Sequence, residues 1–393
     1  MLNCNIRKYL QGEKMKNSKL DYNLITLLLL LFITSCIAIL NAQDFGQYEG
    51  NFLFRQITWY IVGIGIIAGI MYLDSEQICR LNWFIYSFSI ILLIALILAP
   101  ESIARKINGA KSWFQLPGIG SLQPAEFTKI SLIICLSFLV QKHHEKYLVK
   151  TLKTDLLLLI KMGAATALPI LLIMLQPDLG TSLVLICIFT GIFIVSGISW
   201  KIISVIFIII SLISSILIYL VFFNPEMLQS MGFATYQLGR IYAWVDPESY
   251  ASGEGYNLTK ALLAIGAGGV YGYPEKGIYV PEAHTDFIFS VISSKYGFFG
   301  ASIVVTIYFL LISSIVKLAL EVKNSFESYI CTGVTFMIFF HVFENVGMNI
   351  GLVPITGIPL PFISYGGSSL IGNMLALGLV FSISYRKKTF MFD

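Results

Sequence analysis

Long apolar stretches, broken at fairly regular intervals by short polar turns, dominate the chain. Runs long enough to cross a bilayer fall near 23–41, 57–73, 81–99, 124–141, 155–175, 181–197, 201–223, 285–316, 328–352 and 368–385. A hydrocarbon core about 30 Å thick needs ~20 apolar residues per helix, so each run predicts a transmembrane helix. The pattern predicts an all-α membrane protein of about ten spans. It forms one polytopic domain over residues 1–393, with a leader at 1–22, a large loop at 224–284 between spans seven and eight, and a tail at 386–393. The first run follows a basic leader, but it is longer than a signal-peptide core and is read as a span. Lys153 to Asp178 reads as helix, with Pro169 expected to kink it. Lys161 lies inside that run, and snorkelling to the interface accounts for it.

Composition agrees. Hydrophobic residues make up 56% of the chain and charged residues 12%, with a formal net charge of +4. Soluble domains carry about 25% charged residues. Nothing in the charge pattern suggests a nucleic-acid partner. The six cysteines form no CxxC pair, which argues against a metal knuckle or a disulfide framework. Orientation follows the distribution of Lys and Arg. With the N-terminus in the cytoplasm, the inner loops hold Arg80, Lys142, Lys146, Lys150, Lys153, Lys201, Lys317 and Lys323, and the tail adds Arg386, Lys387 and Lys388. An even number of spans returns both termini to that side. The second half of the 224–284 loop, Leu258 to Gly272, is apolar and glycine-rich, so it is expected to lie on or dip into the membrane.

Polar residues recur at the opposite edge, where ionisable groups are costly and mark functional sites. They form the strings NGAKSW (108–113), QPAEFTK (123–129), QPDLGTS (176–182), PEAHTDFIF (281–289) and PITGIPLPFISYGGSS (354–369), while span nine carries His341, Glu344, Asn345 and Asn349. Carboxylates and cations gathered at one face can supply a proton acceptor and ligands for an anionic group. Asp286, at the mouth of span eight, can have its pKa raised by desolvation, and helix capping is the competing role. Lys111, Lys129 and Arg240 are candidate ligands for an anionic group. Arg105 and Lys106 fit either that role or lipid headgroups. Glu126 and Lys129 stand one helical turn apart and suit an internal pair. Asp178 suits either the site or a cap on span six. Trp113, Glu282, His284, Ser364 and Ser368 complete the candidate substrate-binding set. Gly266, Gly268 and Gly269 precede no GK[ST] and read as close helix packing. Gly366–Gly367 and Ser368–Ser369 are expected to break the chain before span ten.

These five ordered strings closely resemble the signatures of the RodA/FtsW family, also called the shape, elongation, division and sporulation family. The resemblance runs from about residue 20 to 388, and the wording of QPDLGTS and PITGIPLPF is nearer the RodA branch. It implies a ten-span peptidoglycan glycosyltransferase of the bacterial cytoplasmic (inner) membrane. Such an enzyme polymerises lipid II at the outer face for elongation and shape, with a class B penicillin-binding protein (a transpeptidase) and other elongation-complex proteins as partners. It also implies that Asp286 is the catalytic residue. A divalent cation, Mg or Mn, bridging the diphosphate is chemically compatible, though no ligand cluster calls for one. The chain departs from the family in a short 272–281 segment and in Ser294–Lys295, which replace an acidic pair. A lipid II flippase or a non-catalytic scaffold are the alternatives. A flippase site belongs near the midplane, and neither alternative explains polar strings gathered at one face.

Overall fold

The structure is a computed structural model whose described residues are 20–47, 50–106, 110–116, 120–230, 235–253, 255–273 and 278–387. The basic leader before residue 20, Asn108 and Gly109, residues 274–277 of the shortened 272–281 segment and the tail from Lys388 lie outside them.

Among the described residues ten apolar helices form the body. They are α1 (Tyr22–Gln43), α2 (Phe52–Met71), α3 (Ser75–Leu98), α4 (Pro124–Lys146), α5 (Leu152–Met174), α6 (Leu179–Val195), α7 (Trp200–Phe223), α11 (Ile288–Glu321), α12 (Ser325–Asn349) and α13 (Gly367–Arg386). Nine have at least 18 residues, and α6, at 17, is the short one. At 1.5 Å per residue, 20 residues cover about 30 Å. Local chemistry sets the ends. Asp21 accepts from the backbone N–H groups of Asn23 and Leu24 to start α1, and Asn51 accepts from Phe54 to start α2. The helix α5 continues through Pro169 without ending there.

The start of α1 and the end of α13 meet at one end of the bundle, where Ser384 Oγ donates to Asp21 at 3.3 Å. Arg386 pairs with Asp74 at 2.7 Å, Ser75 donates to Glu327 at 2.6 Å, and Ser199 N–H donates to Asp155 at 3.0 Å at the same end. The helices α4, α12 and α13 supply much of the core. The helix α7 is apolar on all sides, and only Ile203 and Val221 are buried, as expected of a helix facing lipid.

The two long connections at the other end hold structure that hydropathy did not show. Residues 114–122 include an antiparallel hairpin, β1 (Phe114–Leu116) with β2 (Gly120–Leu122), in which Phe114 faces Leu122. The 224–284 connection carries α8 (Pro225–Ser230), α9 (Thr235–Val245) and α10 (Tyr256–Gly268). Leu258, Ala261, Ala264 and Gly268 of α10 are buried against α11. A Cβ on Gly268 would stand 2.2 Å from the Ser293 carbonyl oxygen, so close packing holds for this glycine, whereas Gly266 has open space. Gly297 (φ 63°) breaks α11, and the irregular 269–273 segment supplies the missing partners. Phe298 N–H donates to the Gly269 carbonyl at 2.9 Å, and Tyr273 N–H to the Ser294 carbonyl at 2.9 Å.

Candidate active site

The Pro281–Phe287 segment enters α11 at the end of the bundle away from the two chain ends. The 353–366 loop lies against it. Tyr365 N–H donates to the His284 carbonyl at 2.8 Å, and Ser364 Oγ donates to the Thr285 carbonyl at 2.6 Å. Asn345 Nδ2 bridges the carbonyls of Asp286 and Ile358, and Asn349 Nδ2 reaches the Asp286 carbonyl at 3.1 Å. Non-helical backbone near a bilayer must have its polar groups satisfied by protein. The loop meets this requirement from below. Tyr60 Oη donates to the Phe362 carbonyl at 2.5 Å, Ser35 Oγ to Ile363 at 2.8 Å and Gln56 Nε2 to Ser364 at 3.3 Å, and Tyr308 Oη donates to Pro361. Sequence reasoning missed these four groups. Their signal was present: Ser35, Tyr60 and Tyr308 are polar side chains set inside apolar runs, and Gln56 directly precedes one.

Asp286 is partly buried, and its Oδ2 would lie 3.3 Å from a Cβ on Gly357, whose φ is 76°. Only glycine suits that position on both counts. Burial lifts the Asp286 carboxyl to about 7, the nearby Glu282 carboxylate adds to the rise, and the Arg240 guanidinium pulls against it. A helix-cap role does not account for Asp286, since the α11 cap is Phe287 and no side-chain hydrogen bond serves it. Glu282 sits in the left-handed region (φ 51°) and organises the turn through its carbonyl, which accepts from Thr285 and Phe287 N–H groups at 3.1 and 3.2 Å. His284 is buried with its ring 4.7 Å from that of Phe52, and burial lowers its pKa.

The other candidates separate into two groups. Asp178 caps α6, accepting from Thr181 N–H at 2.9 Å and from Gln123 Nε2 at 3.0 Å. Ser368 accepts from Gln123 N–H at 3.1 Å and donates to the Ser121 carbonyl at 2.8 Å, and α13 restarts at Gly367 as expected. A Cβ on Gly180 would meet Ile358 and the Thr356 carbonyl. Thr356 Oγ1 donates to Glu344 at 2.5 Å. Three of the polar strings therefore interlock with the fourth, the 354–369 loop, and Ser112 adds NGAKSW by donating to the Gln176 carbonyl at 3.3 Å.

Charge placement corrects the sequence picture for two cations. Lys111 Nζ donates to the Ile97 carbonyl at 3.0 Å and to the Ala99 carbonyl, so it terminates α3 rather than projecting towards a ligand. Lys129 pairs with Glu126 at 2.7 Å and lies 3.0 Å from His341 Nε2, all inside the bundle, which is the internal pair expected from their spacing. Arg240 on α9 is exposed, and its charge is felt at Asp286. Trp113 is half-buried beside the hairpin, and Arg105 and Lys106 are exposed. Among the described residues no cluster of three His, Cys, Asp or Glu side chains could hold a resident metal.

The family described as cell cycle protein, covering FtsW, RodA and SpoVE, matches residues 17–389. The chain belongs to this family. A probable peptidoglycan glycosyltransferase FtsW of Trichlorobacter lovleyi is 31% identical over 384 residues, covering 93% of each chain. Peptidoglycan glycosyltransferase MrdB of Escherichia coli is 31% identical over 379 residues, covering 94% of each. Among solved structures, one described as the structural coordination of polymerization and crosslinking by a peptidoglycan synthase complex matches with a TM-score of 0.76 at 26% identity, covering 93% of this chain and 97% of that one. The rod shape determining protein RodA of Thermus thermophilus matches with a TM-score of 0.66 at 25% identity, covering 94% and 98%. FtsW and MrdB relatives stand at equal identity, so these matches do not single out the RodA branch within the FtsW/RodA/SpoVE family.

Proposed function

We propose that Asp286 is the general base with which this chain, a peptidoglycan glycosyltransferase of the FtsW/RodA/SpoVE family, activates the acceptor sugar hydroxyl of lipid II. The observation that carries the reading is a partly open carboxylate whose burial brings it to about 7, held by its backbone between α12 and the 353–366 loop. In the reaction the acceptor oxygen attacks the donor's anomeric carbon and its proton passes to Asp286. The bond from that carbon to the lipid diphosphate breaks, and undecaprenyl diphosphate leaves. Arg240 is the cation placed to offset charge near the carboxylate, and exposed Arg105 and Lys106 are further candidates for the diphosphate.

The site face is the outer face of the bacterial cytoplasmic membrane, and both chain ends are cytoplasmic. In support, the end where α1 starts and α13 stops carries Lys142, Lys146, Lys150, Lys153, Lys201, Lys317 and Lys323. A class B penicillin-binding protein is the expected partner, a reading supported by the likeness to a synthase complex that coordinates polymerization and crosslinking. The test is polymerisation of lipid II by purified protein in detergent. Asp286→Asn keeps size and removes basicity, so the rate should fall by about 10²–10⁴ with lipid II binding retained. Near wild-type polymerisation by that variant rejects the assignment, and no polymer from the wild-type chain favours a flippase or scaffold.

A further inference from the structure

A cavity lined mainly by charged side chains lies at the opposite end of the bundle from Asp286. It has a volume of about 420 Å³ and is lined by Leu139, Lys142, His143, Glu145, Lys146 and Lys161. That volume falls in the usual range of ligand sites, about 300–1,000 Å³. Its charges do not balance. Glu145 is the carboxylate in the lining, and both of its oxygens are taken, one by Gln141 Nε2 at 3.0 Å and the other by Lys142 Nζ at 2.8 Å. The nearby buried Asp155 accepts from Ser199 N–H at 3.0 Å. Among the described residues neither Lys146 nor Lys161 has a carboxylate partner. Their ammonium groups instead converge on one ring, lying 5.3 and 5.9 Å from the centroid of Tyr147. Two like charges drawn to one ring repel each other, and an anion bound between them would offset that repulsion.

A buried histidine also lines this cavity. His143 is buried at 4% exposure, and its Nδ1 has no hydrogen-bond partner. A buried polar atom left unpaired destabilises the fold unless a ligand satisfies it.

The position identifies the ligand's source. Lys161 is the tenth residue of α5, ~14 Å along the helix from Leu152, and its neighbours Leu156, Leu157 and Ile160 are exposed apolar residues on a spanning helix. The turn after Tyr147 presents Leu148 and Val149 at 89% and 75% exposure, next to exposed Lys150 and Lys153. Apolar tips among lysines suit the boundary between headgroups and acyl chains. We propose that this cleft binds the phosphate of an anionic phospholipid headgroup, with Lys146 and Lys161 as its cations, His143 Nδ1 as a hydrogen-bonding group and Leu139 beside the glycerol end. The site does not depend on the catalytic reading of Asp286.

The experiment is native mass spectrometry of the purified full chain in detergent, with phosphatidylglycerol or phosphatidylcholine titrated in. Phosphatidylglycerol should be retained in preference to phosphatidylcholine. The Lys146→Gln/Lys161→Gln variant should lose that retention by roughly 10–30-fold, as expected for two lysines at a charged surface. Lys146→Arg/Lys161→Arg should keep it, which separates lost charge from lost fold. Lys150→Gln/Lys153→Gln removes the same charge outside the cleft and should change retention little. Equal retention of both lipids, or equal loss in the two Gln pairs, overturns the site. Displacement of phosphatidylglycerol by excess inorganic phosphate overturns the lipid assignment in favour of a soluble phosphate compound.

Discussion

The side-chain amide of Asn345 donates to two carbonyls at once, that of Asp286 and that of Ile358, each at 2.8 Å. One nitrogen on α12 thus joins the segment that carries the carboxylate to the loop that covers it. Asn345→Leu removes both bonds while keeping bulk. Each buried carbonyl left unpaired costs about 1–3 kcal/mol, and Asn349 still serves the Asp286 carbonyl. The expected result is a polymerisation rate that falls further than the unfolding temperature alone predicts. A variant with wild-type rate would show that the loop is held without this bridge.

The pH dependence follows from Asp286, whose carboxyl is raised from 3.8 to about 7. A base works deprotonated, so the rate should climb as pH rises through about 7. Arg240→Gln removes the charge that holds the value down, and the limb should move to higher pH. Glu282→Gln should move it to lower pH. The same shift has a sign for stability. A carboxyl raised in the folded state contributes most below its unfolded value and loses that contribution as pH rises through the folded one. Asp286→Asn should therefore unfold at a higher temperature than wild type in alkaline buffer. pH–rate profiles and thermal unfolding across the same buffers check both, and unmoved limbs in the two charge variants would detach these residues from Asp286.

Glu126 and Lys129 form an ion pair whose side chains are 5% and 2% exposed. Removing one partner of such a pair strands a buried charge at a cost of about 3–5 kcal/mol. Glu126→Gln and Lys129→Met should each lower the unfolding temperature sharply, and the double variant should lose much less than their sum. Strict additivity in the cycle would show that His341 or solvent, rather than the partner, satisfies each charge.

Two glycines of one helix give a paired control. Gly268→Ala sets a methyl group 2.2 Å from the Ser293 carbonyl, whereas at Gly266 nothing lies within 4 Å. Overpacking costs about 1–3 kcal/mol, so Gly268→Ala should loosen α10 and expose 256–273 to protease. Gly266→Ala should behave as wild type or better. Equal protease resistance in both would mean that α10 does not depend on this close approach.

Much of the architecture was legible in the chain because a bilayer imposes a simple rule: spanning backbone must be helical and apolar for about 20 residues. The polar strings at one edge were legible for the related reason that charge there is expensive. The place of Asp286 at the mouth of α11, the Glu126–Lys129 pair, the Asp178 cap and the chain break before Ser368 could all be read from local sequence. Which polar atoms meet could not. Lys111 is one of several basic residues in its segment, and only the fold brings it onto the carbonyls at the end of α3. Ser35, Gln56, Tyr60 and Tyr308 lie 53 to 328 residues from the loop carbonyls they serve. No periodicity encodes a partner at that separation. Hydropathy fixes the depth at which each residue sits, whereas the pairing of buried polar groups depends on how ten helices pack side by side.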